Sequence, residues 1–132
     1  MDDPKIALSP AIAPPPFGAY SHGVLVPAGR LLVTSGQLGL GADGDCPADL
    51  AEQARLCLAT IDAILGEAGA GREHVLRLNA YVTRREDFAV WMKVRDTWLA
   101  DVAVKPASTL MIVGGFTKAE FLVEIEALAM VP

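Results

Sequence analysis

The chain has 132 residues, of which 52% are hydrophobic and 20% charged. This is enough for the core of one domain and too little for a second, cofactor-binding domain. Sixteen acidic residues outnumber eleven basic ones, which gives a formal net charge of −5. Because binding to a phosphate backbone needs concentrated positive charge, we expect no nucleic-acid partner.

The apolar segments and the cysteines predict a cytoplasmic protein without membrane contact. Charged or turn residues interrupt every apolar run before it reaches the roughly 18 to 20 residues of a membrane helix. Residues 1–4 (MDDP) lack the basic and apolar regions of a signal peptide. Cys46 and Cys57 form no CxxC pair, and His22 and His74 lie far apart in the chain, so we expect reduced thiols and no metal site.

The first third of the chain predicts an extended segment, a hairpin and a loop. Residues 1–16 end in three consecutive prolines, which favour extended backbone and cannot donate to a strand ladder. Two apolar runs, 22–27 and 31–38, flank a short linker at 28–30, and this pattern predicts a β-hairpin. Gly, Asp and Pro concentrate in 39–47, which indicates a loop.

The middle of the chain predicts two helices with a strand between them. Apolar residues recur at helical spacing over 48–68, and glycines follow at the expected C-cap, so we predict a helix there. Residues 75–83 alternate apolar and polar side chains, as a half-buried strand does. Thr83 to Glu86 has the spacing of a capping box, and the apolar pattern after it predicts a second helix over about 85–101.

Two last strands, 107–113 and 121–131, complete the predicted order strand, strand, helix, strand, helix, strand, strand. This order predicts a single α+β domain over 1–132, in which both helices cover one face of a single mixed sheet. The other face then meets solvent or another subunit. Because its strands are too apolar for solvent alone, we expect a homo-oligomer.

The last strand also carries two carboxylates on one face. Glu124 and Glu126 alternate with apolar residues and therefore point in the same direction. Like charges at this spacing repel each other, which favours proton exchange near neutrality by one of them, as a general acid or base requires. The same pair also fits a strand edge that faces solvent.

Two polar segments are further candidates for a binding site. Residues 17–23 (FGAYSHG) place a phenol, a hydroxyl and an imidazole between glycines that allow close approach of a ligand, although an ordinary loop has the same composition. Residues 34–37 (TSGQ) interrupt an apolar run, which fits either backbone donors for a ligand or a β-bulge. His22 has no aspartate in a recognisable partner motif, so we predict no catalytic triad.

Together these segments resemble the Rid (reactive intermediate deaminase, YjgF-type) family over about residues 16–131. The motifs that carry the resemblance are GAYSHG at 18–23 for the family's GPYSQG, TSGQ at 34–37, Glu52-Gln53, Asp87-Phe88, Pro106-Ala107, and VEIEALA at 123–129 for the family's VEIEAIA.

The resemblance implies a chorismate-mutase-like homotrimer with three clefts between subunits. It also implies hydrolysis of a small enamine or imine substrate to a ketone and ammonia, without a cofactor. In that arrangement Tyr20 lines the cleft, Ser35 and the Gly36 backbone hold the substrate, and Glu124 positions or activates water. Because imines already hydrolyse in water, a positioned carboxylate and a shaped pocket suffice for catalysis.

Three pocket positions depart from the family pattern. The deaminase members follow Pro-Ala with an arginine that holds the substrate carboxylate, and Ser108 stands there in this chain. Met92 replaces a frequent asparagine, and His22 replaces a glutamine. We therefore expect a specificity altered from 2-imino acids, with room at Ser108 for an uncharged or larger group. Alternatively, another cation enters the cleft: Lys105, Arg84 or Lys118.

The leading prediction is thus an enamine/imine hydrolase in which Glu124 handles water. Two alternatives are a non-catalytic, small-molecule-binding regulatory trimer and a different hydrolase or tautomerase that uses His22 as its base. Endoribonuclease activity, which is sometimes attached to this family, is disfavoured by the acidic balance of charge.

Overall fold

The computed structural model describes residues 5–132, which form a mixed β-sheet with two helices on one face and a separate two-stranded ribbon. The elements in chain order are β1 (Ile6–Leu8), β2 (Gly23–Leu25), β3 (Arg30–Val33), β4 (Gln37–Leu38), α1 (Leu50–Glu67), a 3₁₀ turn (Arg72–His74), β5 (Val75–Val82), α2 (Asp87–Trp98), β6 (Ala107–Ile112) and β7 (Val123–Val131). The predicted α+β architecture, with both helices on one face of a mixed sheet, is confirmed.

Strand β7 is the centre of the main sheet because it pairs with three other strands. The strand order is β3-β7-β5-β6, and the short β4 also pairs with β7. β5 and β6 run parallel, which requires the intervening α2 to cross over the sheet, whereas every pair with β7 is antiparallel. β3 and β4 therefore follow each other along one edge of β7, and β5 lies along its other edge.

The core lies between β7 and the two helices. Val123, Ile125 and Ala127 are 0%, 0% and 3% exposed, whereas the alternating Glu124 and Glu126 are only half-buried on the opposite face. The side chains that the helices contribute to the same core include Ala54, Cys57, Leu58, Ile61, Leu65, Trp91, Val94 and Trp98. This burial of apolar surface is the main favourable contribution to folding, and it fixes which face of β7 is left for polar groups.

The predicted hairpin between 22–27 and 31–38 is wrong. β2 pairs with β1 from the N-terminal segment, and β3 pairs with β7 at the other end of the chain. Gly29 shows why: a Cβ at this position would lie 2.7 Å from the carbonyl oxygen of Val131, so the linker passes directly over the end of β7. The predicted extended segment 1–16 thus contributes a strand, and its residues 1–4 lie outside the described residues.

A β-bulge divides the predicted strand 31–38 into β3 and β4. Val33 and Gln37 are four residues apart, whereas their partners on β7 are only three apart. Thr34 continues the register opposite Ala127: it donates its N–H to the Ala127 carbonyl at 3.0 Å and accepts the Ala127 N–H on its hydroxyl at 2.9 Å, so the extra residue lies at Ser35 or Gly36. The bulge therefore keeps the polar groups of β7 satisfied while it turns Ser35 and Gly36 away from regular pairing.

Both predicted helices are present, and different side-chain contacts hold their N-terminal ends. α1 begins after Asp49, whose carboxylate caps the helix by accepting the N–H of Glu52 at 3.2 Å. The predicted capping box at Thr83 to Glu86 is wrong, because α2 begins after Glu86 without a side-chain cap. Instead, the Arg84 guanidinium pairs with the carboxylate of Asp87 in the first turn.

The sheet face opposite the helices, which we call the open face, carries apolar side chains at its edges. Leu31 and Val33 of β3 are 61% and 65% exposed, and Met111 of β6 is 53% exposed. Polar side chains lie between these edges, among them Asn79 and Tyr81 of β5. Among residues 5–132, no helix is long and apolar enough to cross a membrane.

Candidate functional site

Glu124 lies on the open face, where β7 is flanked by β4 and β5. Its register partners are Leu38 and Tyr81. The side chain faces a cleft of about 300 Å³, which we call the Glu124 cleft, lined by Gly36, Tyr81, Val113, Gly115, Phe116, Glu124 and Glu126. A second hollow of about 330 Å³ adjoins it and shares Gly115, Phe116 and Glu124. The volume is of the size that a small molecule needs.

The bulge brings Gly36 directly against the Glu124 carboxylate. A Cβ at position 36 would lie 2.6 Å from Glu124 Oε1 and 2.8 Å from Cδ, a distance that real side chains do not tolerate. Only a glycine at position 36 leaves space for the Glu124 carboxylate. Gly36 and Glu124, two predicted site residues from distant segments of the chain, are thus in contact, and the contact depends on the pairing of β4 with β7.

The two carboxylates of β7 have different surroundings. Glu126 Oε1 accepts hydrogen bonds from the Tyr81 hydroxyl at 2.6 Å and from Asn79 Nδ2 at 3.2 Å. The bond to Glu126, followed by burial and the nearby negative charges, raises the pKa of Tyr81, so the phenol stays protonated as a donor. Within residues 5–132, no hydrogen bond is made to the Glu124 carboxylate. Glu124 is therefore the carboxylate of the pair that has no hydrogen-bond partner in this part of the chain.

A second group of predicted residues surrounds Tyr20, and we call Tyr20, His22, Arg95 and Ser108 the Tyr20 cluster. The Tyr20 ring lies 6.0 Å from the His22 ring and 5.7 Å from the guanidinium carbon of Arg95. Arg95 Nη1 donates to the Ser108 hydroxyl at 3.3 Å. His22 Nε2 donates to the Pro14 carbonyl, so this nitrogen is already engaged.

Backbone contacts hold the Tyr20 segment beside β6. The Ser21 N–H donates to the Pro106 carbonyl at 2.9 Å, and its hydroxyl donates to the carbonyl of Lys105. On the helix side, the Ala19 N–H donates to Asp96 Oδ1 at 3.1 Å. These contacts place the loop of residues 17–23 between α2 and the start of β6.

Within one chain, the Glu124 cleft and the Tyr20 cluster lie on opposite faces of the sheet. Ser108 pairs with the fully buried Leu78 and contacts α2, whereas Glu124 pairs with Tyr81 on the open face. Ser108 and Glu124 are separated by two strand spacings across the sheet and by three residues along the strands. Their backbones are therefore roughly 14 Å apart. One chain alone does not bring these groups to the same small ligand.

The remaining predicted site residues have simpler surroundings. Ser35 is exposed, and its carbonyl accepts from Gln37 Nε2 at 3.1 Å. Met92 is half-buried and packs against the hydrophobic core. Of the three cations proposed to replace the family arginine, Lys105 donates to the carbonyls of Leu99 and Val102, Arg84 pairs with Asp87, and Lys118 is exposed between β6 and β7.

Arg95 is not among the site residues predicted from the sequence, although it is the cation that reaches Ser108. The sequence feature that could have indicated this residue is its spacing. Arg95 lies four residues after Trp91 and three before Trp98, on the buried face of α2. A charged residue on such a face is either paired or functional. The spacing therefore indicates that Arg95 is paired or functional, but only the fold shows that its side chain reaches β6.

Cys57 is the thiol closest to the Glu124 cleft, and its surroundings make it inert. Burial raises the pKa of Cys57 to about 12, and its S–H donates to the Gln37 carbonyl at 3.2 Å. The nucleophilic form of cysteine is the thiolate, which is absent near neutrality at such a pKa. In the part of the chain that the structure describes, no group of three or more His, Cys, Asp or Glu side chains could hold a metal ion.

Comparisons with known proteins agree with the fold and the motifs. The family model described as Endoribonuclease L-PSP matches residues 11–131. A RutC family protein of Aquifex aeolicus (strain VF5) is 35% identical over 96 residues, which are 72% of this chain and 75% of that protein. The 2-iminobutanoate/2-iminopropanoate deaminase of Escherichia coli (strain K12) is 32% identical over 120 residues, 89% of this chain and 91% of that protein.

A solved structure extends the agreement to three dimensions. The crystal structure of YyfB from Yersinia pestis, a protein of the conserved Rid family, aligns with a TM-score of 0.88 at 28% identity and covers 97% of this chain and 99% of that chain. The family model, the curated relatives and this structure agree over nearly the whole length. The chain belongs to the Rid (YjgF-type) family.

Proposed function

We propose that this protein hydrolyses an enamine or imine to a carbonyl compound and ammonia, without a cofactor, and that Glu124 handles the proton of the attacking water. The observation that carries the proposal is the Glu124 carboxylate, which lines a cleft against the bare backbone of Gly36 and has no hydrogen-bond partner within residues 5–132. The name of the Escherichia coli relative, an imine deaminase, supports the same reaction class.

The proposed chemistry needs only one mobile proton acceptor. The substrate reacts as its protonated iminium form. The oxygen of water bonds to the iminium carbon as Glu124 takes a proton from that water, and the C=N π electrons move to nitrogen, which gives a neutral carbinolamine. The protonated carboxyl then gives its proton to the amine nitrogen; as the C–N bond breaks and ammonia leaves, the carbinolamine hydroxyl gives its proton back to the Glu124 carboxylate and the carbonyl forms. Ammonia finally takes this proton and leaves as ammonium. An enamine enters the same sequence after protonation at its carbon gives the iminium ion.

We further propose that the site lies between subunits of a cytoplasmic homotrimer. The Glu124 cleft and the Tyr20 cluster lie on opposite faces of one sheet, so a second copy has to supply one of them to a shared ligand. The open face offers exposed apolar side chains for such contact, at Leu31, Val33 and Met111.

The specificity proposed here differs from that of enzymes for short 2-imino acids. Ser108 has no charge of its own, and its hydroxyl already accepts from Arg95. A serine also occupies less volume than an arginine would, which leaves room for a larger substituent. We therefore expect imines of larger carbonyl compounds to be turned over faster than 2-iminopropanoate.

The test is to generate imines in situ and to follow release of ammonia and of the carbonyl product. The substrates are 2-iminopropanoate and the imine of 4-methyl-2-oxopentanoate, each compared with the rate without protein. We expect acceleration for both and a higher kcat/KM for the larger imine. A faster reaction with 2-iminopropanoate contradicts the altered specificity, and no acceleration of either imine contradicts the hydrolase.

The same assay separates the two alternatives. Binding of the carbonyl product without any turnover by the wild type supports a regulatory, small-molecule-binding trimer. Loss of turnover in His22→Ala together with full activity of Glu124→Gln supports a hydrolase or tautomerase that uses His22. In this second alternative Nδ1 of His22 would act as the base, because Nε2 donates its proton to the Pro14 carbonyl.

A further inference from the structure

Arg95 is a buried cation with unused hydrogen-bonding capacity. The residue is only 4% exposed, and its Nε donates to Asp96 Oδ1 at 3.0 Å. Nη1 makes one long bond, to Ser108 at 3.3 Å, and Nη2 is buried without a partner in the described structure. A buried donor of a charged group that lacks an acceptor costs free energy, so this arrangement needs an explanation.

The surroundings leave the positive charge of Arg95 only partly compensated. Asp96 is its one ion-pair partner in the described residues, and the side chain of Asp96 is 43% exposed and also accepts from the Ala19 N–H. The face of the Tyr20 ring and the hydroxyl of Ser108 are the other polar neighbours of the guanidinium. Neither of them carries a negative charge.

Gly18 provides the space for the free end of the guanidinium. A Cβ at this position would lie 2.5 Å from Arg95 Nη2. The segment at 17–20 therefore covers Nη2, and it is held to α2 by the hydrogen bond from the Ala19 N–H to Asp96. Binding of a ligand to Nη2 therefore requires this segment to move away from Arg95.

We propose that Arg95 is a specificity-determining residue that binds a carboxylate of the substrate through its two Nη atoms. A carboxylate accepts two parallel N–H bonds from a guanidinium, which satisfies Nη2 and replaces the long bond from Nη1 to Ser108. The cation thus comes from helix α2, while β6 contributes the uncharged Ser108.

This inference rests on the proposed function and deepens it by naming the residue that binds the carboxylate of the substrate. The substrate is an imine or enamine that carries a carboxylate. In the proposed trimer, Arg95 of one copy holds this carboxylate while Glu124 of another copy acts at the C=N bond. The substrate carboxylate is thus held by an arginine of helix α2, whereas the family pattern places the arginine on strand β6, at the position of Ser108. This different position of the cation fits the proposed difference in substrate specificity.

The first test is a binding experiment that needs no turnover. Calorimetric titration of the full chain uses 4-methyl-2-oxopentanoate and its counterpart without a carboxylate, 4-methylpentan-2-one. We expect Arg95→Met to weaken binding of the acid at least about 30-fold and to leave binding of the ketone unchanged. Arg85→Met, which removes an exposed arginine two residues before α2, is the matched control and should bind both as the wild type does.

Two further outcomes keep the test decisive. Equal affinity of folded Arg95→Met and wild type for the acid overturns the proposal. If Arg95→Met does not fold, Arg95→Lys decides, because it keeps the charge and loses the two-pronged geometry; we expect about tenfold weaker binding, and unchanged affinity overturns the proposal.

Kinetic measurements distinguish failure of the carboxylate site at Arg95 from failure of the proposed hydrolase activity. Arg95-dependent binding of the acid without turnover by the wild type contradicts the hydrolase and supports the carboxylate site. Turnover of the carboxylate-bearing imine with unchanged KM in the folded Arg95 variants contradicts the carboxylate site alone. We expect a raised KM with kcat changed much less, as loss of a binding contact predicts.

Discussion

At Gly36 the backbone approaches a carboxylate more closely than any other residue allows. In Gly36→Ala the new Cβ displaces Glu124, with which it would overlap at 2.6 Å. Because the displaced atoms are the end of a flexible side chain, we expect little change in Tm. Turnover should fall at least about tenfold, since small misplacements of a catalytic group are costly. Imine hydrolysis and thermal unfolding of the same preparation measure both effects.

Gly114→Ala is the control for this substitution. A Cβ at Gly114 meets no atom within 4 Å, and the residue is exposed in the loop after β6. We expect wild-type Tm and turnover. Unchanged turnover in Gly36→Ala would mean that the position of the Glu124 carboxylate does not matter for the reaction.

The buried thiol of Cys57 lowers the free energy of unfolding as the pH becomes alkaline. Its pKa is about 12 in the folded chain and near the ordinary value of 9.0 in the unfolded chain. Below pH 9 the thiol is protonated in both states. As pH rises from 9 towards 12, the unfolded chain ionises first, so folding loses up to about 1.4 kcal/mol per pH unit.

Denaturant unfolding at pH 8 and pH 10.5 measures this loss. We expect the free energy of unfolding of the wild type to fall by about 1–2 kcal/mol more than that of Cys57→Ala over this interval. Tyr81, whose pKa is also raised, contributes equally to both proteins. Parallel pH dependence in the two proteins would contradict the assignment.

At the scale of elements, Asp62 joins α1 to both the 3₁₀ turn and α2. Its two carboxylate oxygens accept from Arg72 at 2.8 Å each, and Oδ2 also accepts from Trp98 Nε1 at 3.0 Å. Asp62→Ala leaves the indole N–H without its acceptor. We expect a loss of about 1–3 kcal/mol in the free energy of unfolding.

Glu67→Ala is the matched control, because it removes an exposed carboxylate from the last turn of the same helix. We expect a change within about 0.5 kcal/mol. Equal denaturation midpoints for Asp62→Ala and the wild type would show that solvent replaces these bonds without loss.

The elements that the sequence predicted correctly are those with a strong local period. The helical stripe of α1 and the alternation in β7 each depend on residues that are close in sequence, and the structure confirms both. The hairpin failed because the partners of β3 are nearly a hundred residues away, and the close approach of Gly29 to Val131 cannot be seen in a local pattern.

At the scale of the whole molecule, the apolar edges of the open face predict assembly. We expect chains of 13.9 kDa to sediment as a trimer, and the double variant Leu31→Asp, Val33→Asp to sediment as a monomer, because charges at these positions oppose burial. Analytical ultracentrifugation measures both masses.

Ile12→Asp is the control for this prediction. Ile12 is 95% exposed and lies in the N-terminal segment, outside the strands of the main sheet. We expect it to sediment as the wild type does. A wild-type monomer, or a double variant with an unchanged mass, would contradict assembly through the open face.

The candidate site could be predicted only in part from the sequence. Motif resemblance selected Gly36 and Glu124, and the fold places them in contact through β4 and β7. Arg95 was missed because a charged helical residue is ordinarily solvated, and its reach to Ser108 depends on how α2 packs. The separation of the two groups on opposite faces follows from strand register, which no linear motif contains.

The most direct measurement compares imine hydrolysis by Glu124→Gln and Glu126→Gln. Both substitutions remove one carboxylate from the same face of β7 and keep its shape. We expect Glu124→Gln to lower kcat at least about 100-fold, as removal of a general base does. Glu126→Gln should keep most of the activity, because Glu126 is already held by Tyr81 and Asn79. Full activity of Glu124→Gln, or an equal loss in both variants, would contradict Glu124 as the group that handles the proton.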